Sequence, residues 1–219
     1  CAAAGVIMPK TSSRAITSAA GTADVIESIA RVNFTLSELK EIVRKTGACL
    51  AWGGALGLAP ADDRLIQVEK MLNLDPEPQL LASILAKKVA VGSKYVLIDI
   101  PYGKGAKVSK PAALALKKKF LTLGESLDLK IRVVLTDGSQ PIGNGIGPIL
   151  EVKDVLRVLK RENSPLYLEK KYVFLAGNIL ELTGNAPKGK GIQKARKILD
   201  SGQAFNKFKE IIKAQQGNP

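Results

Sequence analysis

Residues 5–27 read Gly5-Val6-Ile7-Met8-Pro9-Lys10-Thr11-Ser12-Ser13-Arg14-Ala15-Ile16-Thr17-Ser18-Ala19-Ala20-Gly21-Thr22-Ala23-Asp24-Val25-Ile26-Glu27. A short apolar run over 5–9 predicts a buried strand. It enters a stretch, Thr11 to Thr22, with six hydroxyls, one arginine, one glycine and several alanines in twelve residues. Side chains this small build little core. They let the backbone close on an anion while hydroxyls and N–H groups donate to it. An amphipathic helix follows, with Val25, Ile26, Ile29 and Ala30 inward. Thr22 is expected to cap it, and Asp24 falls in the first turn, where the helix dipole favours a negative charge.

The same strand-then-helix rhythm continues outward. Thr35 or Ser37 opens a second helix through Leu39, Ile42 and Val43, which Gly47 stops. Residues 48–52 form a strand candidate broken by Gly53-Gly54. A helix begins at Leu58-Ala59-Pro60-Ala61-Asp62-Asp63, with Leu65, Ile66, Val68 and Leu72 inside. Asp75-Pro76-Glu77-Pro78 reads as a turn. A long apolar helix over 79–91 carries Ser83 and Lys87 four apart, hence on one face. Residues 95–100, Tyr-Val-Leu-Ile-Asp-Ile, make the clearest strand, and their continuous apolar run implies a central position. A loop at 101–107, a helix at about 110–123 and a buried strand at 130–136 follow. Residues 138–148 are a Gly- and Pro-rich loop. Helices fill the remainder, with breaks near Ser164-Pro165, 184–187 and Gly202.

This alternation predicts an α/β fold: a mostly parallel mixed sheet flanked by helices, with a helix-rich C-terminal part. Ligands in such folds sit beyond the carboxyl ends of the strands. The hydroxyl-rich loop and the loop over 103–107 both follow strands, which supports them as one site. The 219 residues are expected to form a single α/β core over 1–219, cut at both ends from something longer, since the chain opens on Cys1 and stops just past a helix.

Composition narrows the chemistry. Histidine is absent, which excludes within this chain a Ser-His-Asp triad, a Cys-His dyad and a histidine metal site. Any proton transfer falls to Asp, Glu, Lys, Tyr or Cys. The two cysteines, Cys1 and Cys49, make neither a disulfide framework nor a zinc cluster. A reducing cytoplasm is the default compartment, and no apolar run reaches membrane-spanning length. No cofactor and no metal are expected. The net charge of +13 invites a nucleic-acid reading. The lysines are dispersed over many helices without interleaved aromatics, however, so a basic surface around an anionic-ligand site is preferred to nucleic acid.

The 12–27 segment resembles the signature region of the thymidine and pyrimidine-nucleoside phosphorylase family, and most closely its archaeal branch that acts on AMP. Matching stretches continue in order: Gly53-Gly54-Ala55-Leu56, Leu58-Ala59-Pro60-Ala61-Asp62-Asp63, Leu81-Ala82-Ser83-Ile84-Leu85-Ala86-Lys87-Lys88, Tyr95 to Pro101 with Gly103-Lys104-Gly105, and Gln140-Pro141-Ile142-Gly143. The resemblance implies a pentosyltransferase. Such an enzyme cleaves a nucleoside 5′-monophosphate (AMP, also CMP and UMP) with inorganic phosphate, giving free base and ribose 1,5-bisphosphate. It also implies a homo-oligomer for the full-length enzyme.

Residue roles follow by the same resemblance. Ser13, Arg14, Ala15, Ile16, Thr17, Ser18 and Thr22 contact the nucleotide, and Ser12 with Thr22 matches phosphate contacts. Arg14 is a residue type able to pair bidentately with phosphate oxygens. Asp75 matches the proton donor to the departing base, a role that needs a raised pKa. Ser83 and Lys107 match ligand contacts, and Lys87 matches a base-binding lysine.

Two features depart from the thymidine enzymes. Their base-binding arginine has no counterpart at Val68-Glu69-Lys70, and Ala15 and Ala20 replace signature glycines. Both favour the AMP-using branch. The family's glycine-rich phosphate segment lies upstream of this signature and is not in the chain, so the piece alone is expected to turn over AMP poorly. Three other readings stay open: a thymidine or pyrimidine-nucleoside phosphorylase, an anthranilate phosphoribosyltransferase-like enzyme, and a non-catalytic nucleotide or nucleic-acid binding module.

Overall fold

The structure is a computed structural model and describes residues 1–15, 19–57, 60–72 and 76–218. The chain divides into two compact units, Cys1–Leu56 with Pro141–Pro219, and Gly57–Gln140.

In the first unit, strands β1 (Met8–Ser12) and β2 (Ala48–Trp52) pair in parallel, with Met8 opposite Ala48 and Ser12 opposite Trp52. Helices α1 (Thr22–Glu27) and α2 (Leu36–Thr46) form the crossover between them. Four helices lie in the C-terminal part: α6 (Pro148–Lys160), α7 (Leu166–Leu182), α8 (Gly191–Asp200) and α9 (Gln203–Ala214). The expected breaks at Ser164-Pro165, 184–187 and Gly202 separate them. Helix α2 begins at Thr35, whose side chain accepts from the Glu38 N–H while the Glu38 carboxylate accepts from the Thr35 N–H at 2.7 Å. This reciprocal pair satisfies two donors that the first turn leaves open. The helix ends at Gly47, whose φ of +77° is costly for any residue with a Cβ.

Three apolar clusters fill this unit. One joins Phe34, Leu39, Ile42, Cys49 and Ala51 across α2 and β2. A second joins Ile26, Ala30, Val32 and Ile212. The third lies among α6, α7 and α8 around Val158, Val173, Leu180 and Leu199. Burial of this kind contributes roughly 25 cal/mol per Å² of apolar surface. Beside the third cluster, the buried Glu169 carboxylate is pushed up by desolvation. It is held down overall by hydrogen bonds from Arg196 and Arg161.

In the second unit, β3 (Tyr95–Tyr102) and β4 (Lys130–Asp137) pair in parallel, Tyr95 opposite Lys130 and Tyr102 opposite Asp137. Helix α5 (Lys110–Ser126) is the crossover. Val96, Ile98 and Ile100 on β3 pack with Val133, Leu116 and Phe120, and Leu81 and Leu85 of α4 (Glu77–Ala90) join them. Two expectations need correction here. Residues 77–78 are not a turn, and the long helix does not wait for Gln79: α4 starts at Glu77. Pro76 is the N-cap, and Pro78 lies in the first turn, where a missing N–H costs no helical bond. On α3 (Pro60–Leu72), Leu65, Val68 and Leu72 are exposed rather than inside, as is Met71. Their helical spacing predicts one face, and among the described residues no apolar cluster includes that face.

Both strand pairs are parallel and joined by helical crossovers, as the α/β reading expects. However, β3 pairs with β4 alone among the described residues, so the central position expected for it is not found. The first strand runs Met8–Ser12 rather than over 5–9, with none of its residues fully buried. The hydroxyl-rich loop leaves the carboxyl end of β1, and residues 103–107 leave the carboxyl end of β3. Among the described residues no helix is long and apolar enough to cross a membrane.

Candidate functional site

In the first unit, Ser12 is the last residue of β1, and its hydroxyl lies 3.5 Å from the Ala51 carbonyl. The chain then turns back on itself. The Ser13 carbonyl accepts from the Ala23 N–H at 3.4 Å, and Gly21 comes down on the backbone of residues 13–15. A Cβ on Gly21 would sit 2.4 Å from the Ser13 oxygen and 2.7 Å from the Ala15 nitrogen. Only glycine fits this approach. This close contact also corrects the cap assignment. Gly21, in extended backbone, is the N-cap of α1, and Thr22 is the first helical residue.

Asp24 is the hub of the turn. Its Oδ2 accepts from the Ala15 N–H at 2.7 Å and from the Gly21 N–H at 2.9 Å, while its Oδ1 accepts from Arg14 Nη1 at 3.2 Å. The two backbone donors, Gly21 first, and then Arg14 hold its carboxyl below the usual carboxylate range. Arg14 meets Glu27 fork to fork: Nη2 donates to Oε1 at 2.7 Å and Nη1 donates to Oε2. The guanidinium also lies over the Trp52 ring, 4.7 Å from its centroid. Glu27 is held low by the Arg14 hydrogen bonds, and Arg14 is pushed higher still by Glu27 and then Asp24. Ser13, Ala15 and Thr22 are exposed, and Arg14 is half-buried.

Residue type alone points Arg14 at a phosphate. In the structure its fork is taken by carboxylates, and Asp24 and Glu27 exceed it by one negative charge. The sequence reading missed Glu27 and Trp52, and gave Asp24 only a helix-dipole role. A local signal existed for Asp24. It stands three residues after Gly21, the spacing at which an acidic side chain closes back on the N-cap amide. Glu27 follows three residues later, on the same helix face.

The second unit holds the other candidates. Lys87 Nζ donates to the Ser83 hydroxyl at 3.1 Å, so the pair expected from its spacing on α4 is formed. The neighbouring Lys88 is pushed down, first by burial and then by the Lys87 charge. Lys107 is exposed in the loop after β3. That loop is fastened at its base: the Gly138 N–H donates to the Tyr102 carbonyl at 2.8 Å, and the Gly103 N–H donates to Val108 at 3.3 Å. Ile16, Thr17, Ser18 and Asp75 lie outside the described residues. Cys49 is buried on β2, and burial pushes its thiol up, which makes it core rather than nucleophile.

Relatives with curated names match the whole chain. The AMP phosphorylase of Pyrococcus furiosus is 56% identical over 219 residues, all of this chain and 44% of that protein. AMP phosphorylases of Thermococcus kodakarensis and Methanococcus maripaludis are 54% and 53% identical over the same share of each chain. The resemblance read from the motifs thus extends along the full chain, which spans less than half the length of these relatives. The family model described as "Glycosyl transferase family, a/b domain" matches residues 1–205, and the chain belongs to that family.

Proposed function

We infer that the polypeptide carrying this chain phosphorolyses nucleoside 5′-monophosphates, AMP first, with CMP and UMP as further substrates. The observation that carries this reading is the identity of 56% over the entire chain to a protein named AMP phosphorylase. In the proposed reaction, inorganic phosphate attacks the ribose C1′ opposite the base. The C1′–N bond breaks as the new C1′–O bond forms, giving free base and ribose 1,5-bisphosphate. The transition state carries positive charge at the sugar, so positioning two anions beside it supplies much of the rate.

The hydroxyls of residues 12–18 and of Thr22, with the amides of that stretch other than the Ala15 N–H, bind the nucleotide and phosphate. Ser83, Lys87 and Lys107 supply further contacts. The Lys87–Ser83 bond supports this, because it orients a cation and a hydroxyl together on one helix face. Asp75 gives its proton to the leaving ring, so that the base departs neutral.

The test uses the complete polypeptide with AMP and inorganic phosphate, and mass detection of ribose 1,5-bisphosphate. Its appearance, and a loss of about a hundredfold or more in kcat for Asp75→Asn, support the reading. Turnover of phosphoribosyl pyrophosphate with anthranilate instead, or nucleotide binding without any phosphorolysis, overturns it.

A further inference from the structure

We propose that Arg14, Asp24 and Glu27 form a latch that shapes the nucleotide loop, so that Arg14 is a positioning residue and not the group that grips phosphate. This rests on the phosphorolysis reading above. Three observations carry it. First, Arg14 spends its end-on fork on Glu27 and a further Nη1–H on Asp24, so three of its five donors are held by carboxylates. Second, the cluster holds two carboxylates to one guanidinium, so its net charge repels an anion rather than drawing it in. Third, the other Asp24 oxygen takes the N–H groups of Ala15 and Gly21, the two ends of the segment that carries Ile16, Thr17 and Ser18. The carboxylate therefore occupies amides that a phosphate-binding turn would otherwise direct at its ligand. Trp52, at the end of β2, backs the guanidinium and ties the latch to the sheet.

The two roles for Arg14 predict opposite signs for one substitution. Glu27 is partly exposed, so Glu27→Gln leaves the fold intact while removing the carboxylate that holds Arg14. A latch loses its hold, and KM and the calorimetric Kd for AMP rise about tenfold, with a smaller change in kcat. An arginine that grips phosphate is instead set free, and KM falls or stays level. Arg14→Lys keeps the charge but cannot fork, and it raises KM like Glu27→Gln. The double variant is no worse than either single one, because one interaction is lost in each case. Glu41→Gln, which breaks the exposed Arg44–Glu41 pair on α2, serves as control and leaves KM unchanged.

An unchanged or lower KM in Glu27→Gln, or additive losses in the double variant, overturns the latch. Calorimetry on AMP keeps the test independent of turnover. A wild-type protein that binds AMP without phosphorolysis removes the proposed reaction, while the affinity change in Glu27→Gln still decides the latch.

Discussion

The Gln215 side chain holds both backbone groups of Leu50, 165 residues away in sequence: Oε1 accepts from the Leu50 N–H at 2.8 Å, and Nε2 donates to the Leu50 carbonyl at 2.9 Å. Nε2 also donates to the Arg31 carbonyl at 2.8 Å, and the Arg31 N–H donates back to the Gln215 carbonyl at 3.1 Å. The side chain thus bonds β2 much as a neighbouring strand would. It joins the end of α9 to the strand that carries Trp52.

Gln215 is 0% exposed, so water cannot replace these bonds. Gln215→Leu strands one N–H and two carbonyls in the interior. Unfolding in denaturant should show a loss of about 2–4 kcal/mol in the complete polypeptide, with no change in slope. A loss under about 0.5 kcal/mol, the range of ordinary surface changes, contradicts this account.

Gly21→Ala places a methyl group 2.4 Å from the Ser13 carbonyl oxygen. The contact is with backbone and cannot be relieved by a rotamer change. Residues 13–15 must move, and the N–H of Ala15 leaves Asp24. The expected result is a KM for AMP raised by at least about tenfold, with a smaller fall in melting temperature. Steady-state kinetics at varied AMP, beside a thermal melt, measures both.

Asp24 gives the turn a pH dependence of known sign. Its folded pKa lies below the usual carboxylate value, so its stabilisation is present in full above about pH 4. It is lost as pH falls through the lower folded value, when the carboxylate takes up a proton. Wild type should therefore melt above Asp24→Asn at neutral pH, and the gap should close on acidification below about pH 4. A gap that widens towards acid pH reverses the sign and refutes the assignment.

Asp154 plays a similar part in the glycine-rich loop. It is 2% exposed, and its Oδ2 accepts from the N–H groups of Asn144 at 2.6 Å and Gly145 at 2.7 Å, while Oδ1 accepts from Arg157 at 3.2 Å. Asp154→Ala leaves two donors unpaired, at about 2–4 kcal/mol. Amide hydrogen exchange at Asn144 and Gly145 should quicken first, ahead of the β2 amides, if the loop loosens locally.

The first strand lies three residues later than its apolar run, and which strands pair was not readable. The strands at 48–52, 95–102 and 130–137, the parallel sense and the helix breaks at Ser164-Pro165 and Gly202 were readable directly. Apolar runs, helical spacing and turn residues act over a few neighbours, and nothing distant overrides them there. The Ser83–Lys87 bond was readable for the same reason, since four residues on a helix place two side chains side by side. Helix α3 shows where periodicity stops informing. Leu65, Val68 and Leu72 lie at helical spacing, yet spacing reports a shared face and not what covers it.

Local pattern was thus enough for strand and helix types, for the hydroxyl-rich turn at the end of β1, and for the family likeness that the relatives bear out. It could not reveal that Arg14 faces Glu27 and Trp52, that Gly21 yields its side chain to the backbone of Ser13, or that Gln215 stands in for a strand beside Leu50. Those partners are set by the path of the whole chain. Residues ten, thirty-eight or 165 positions apart meet only after the helices have packed and each buried donor has found an acceptor.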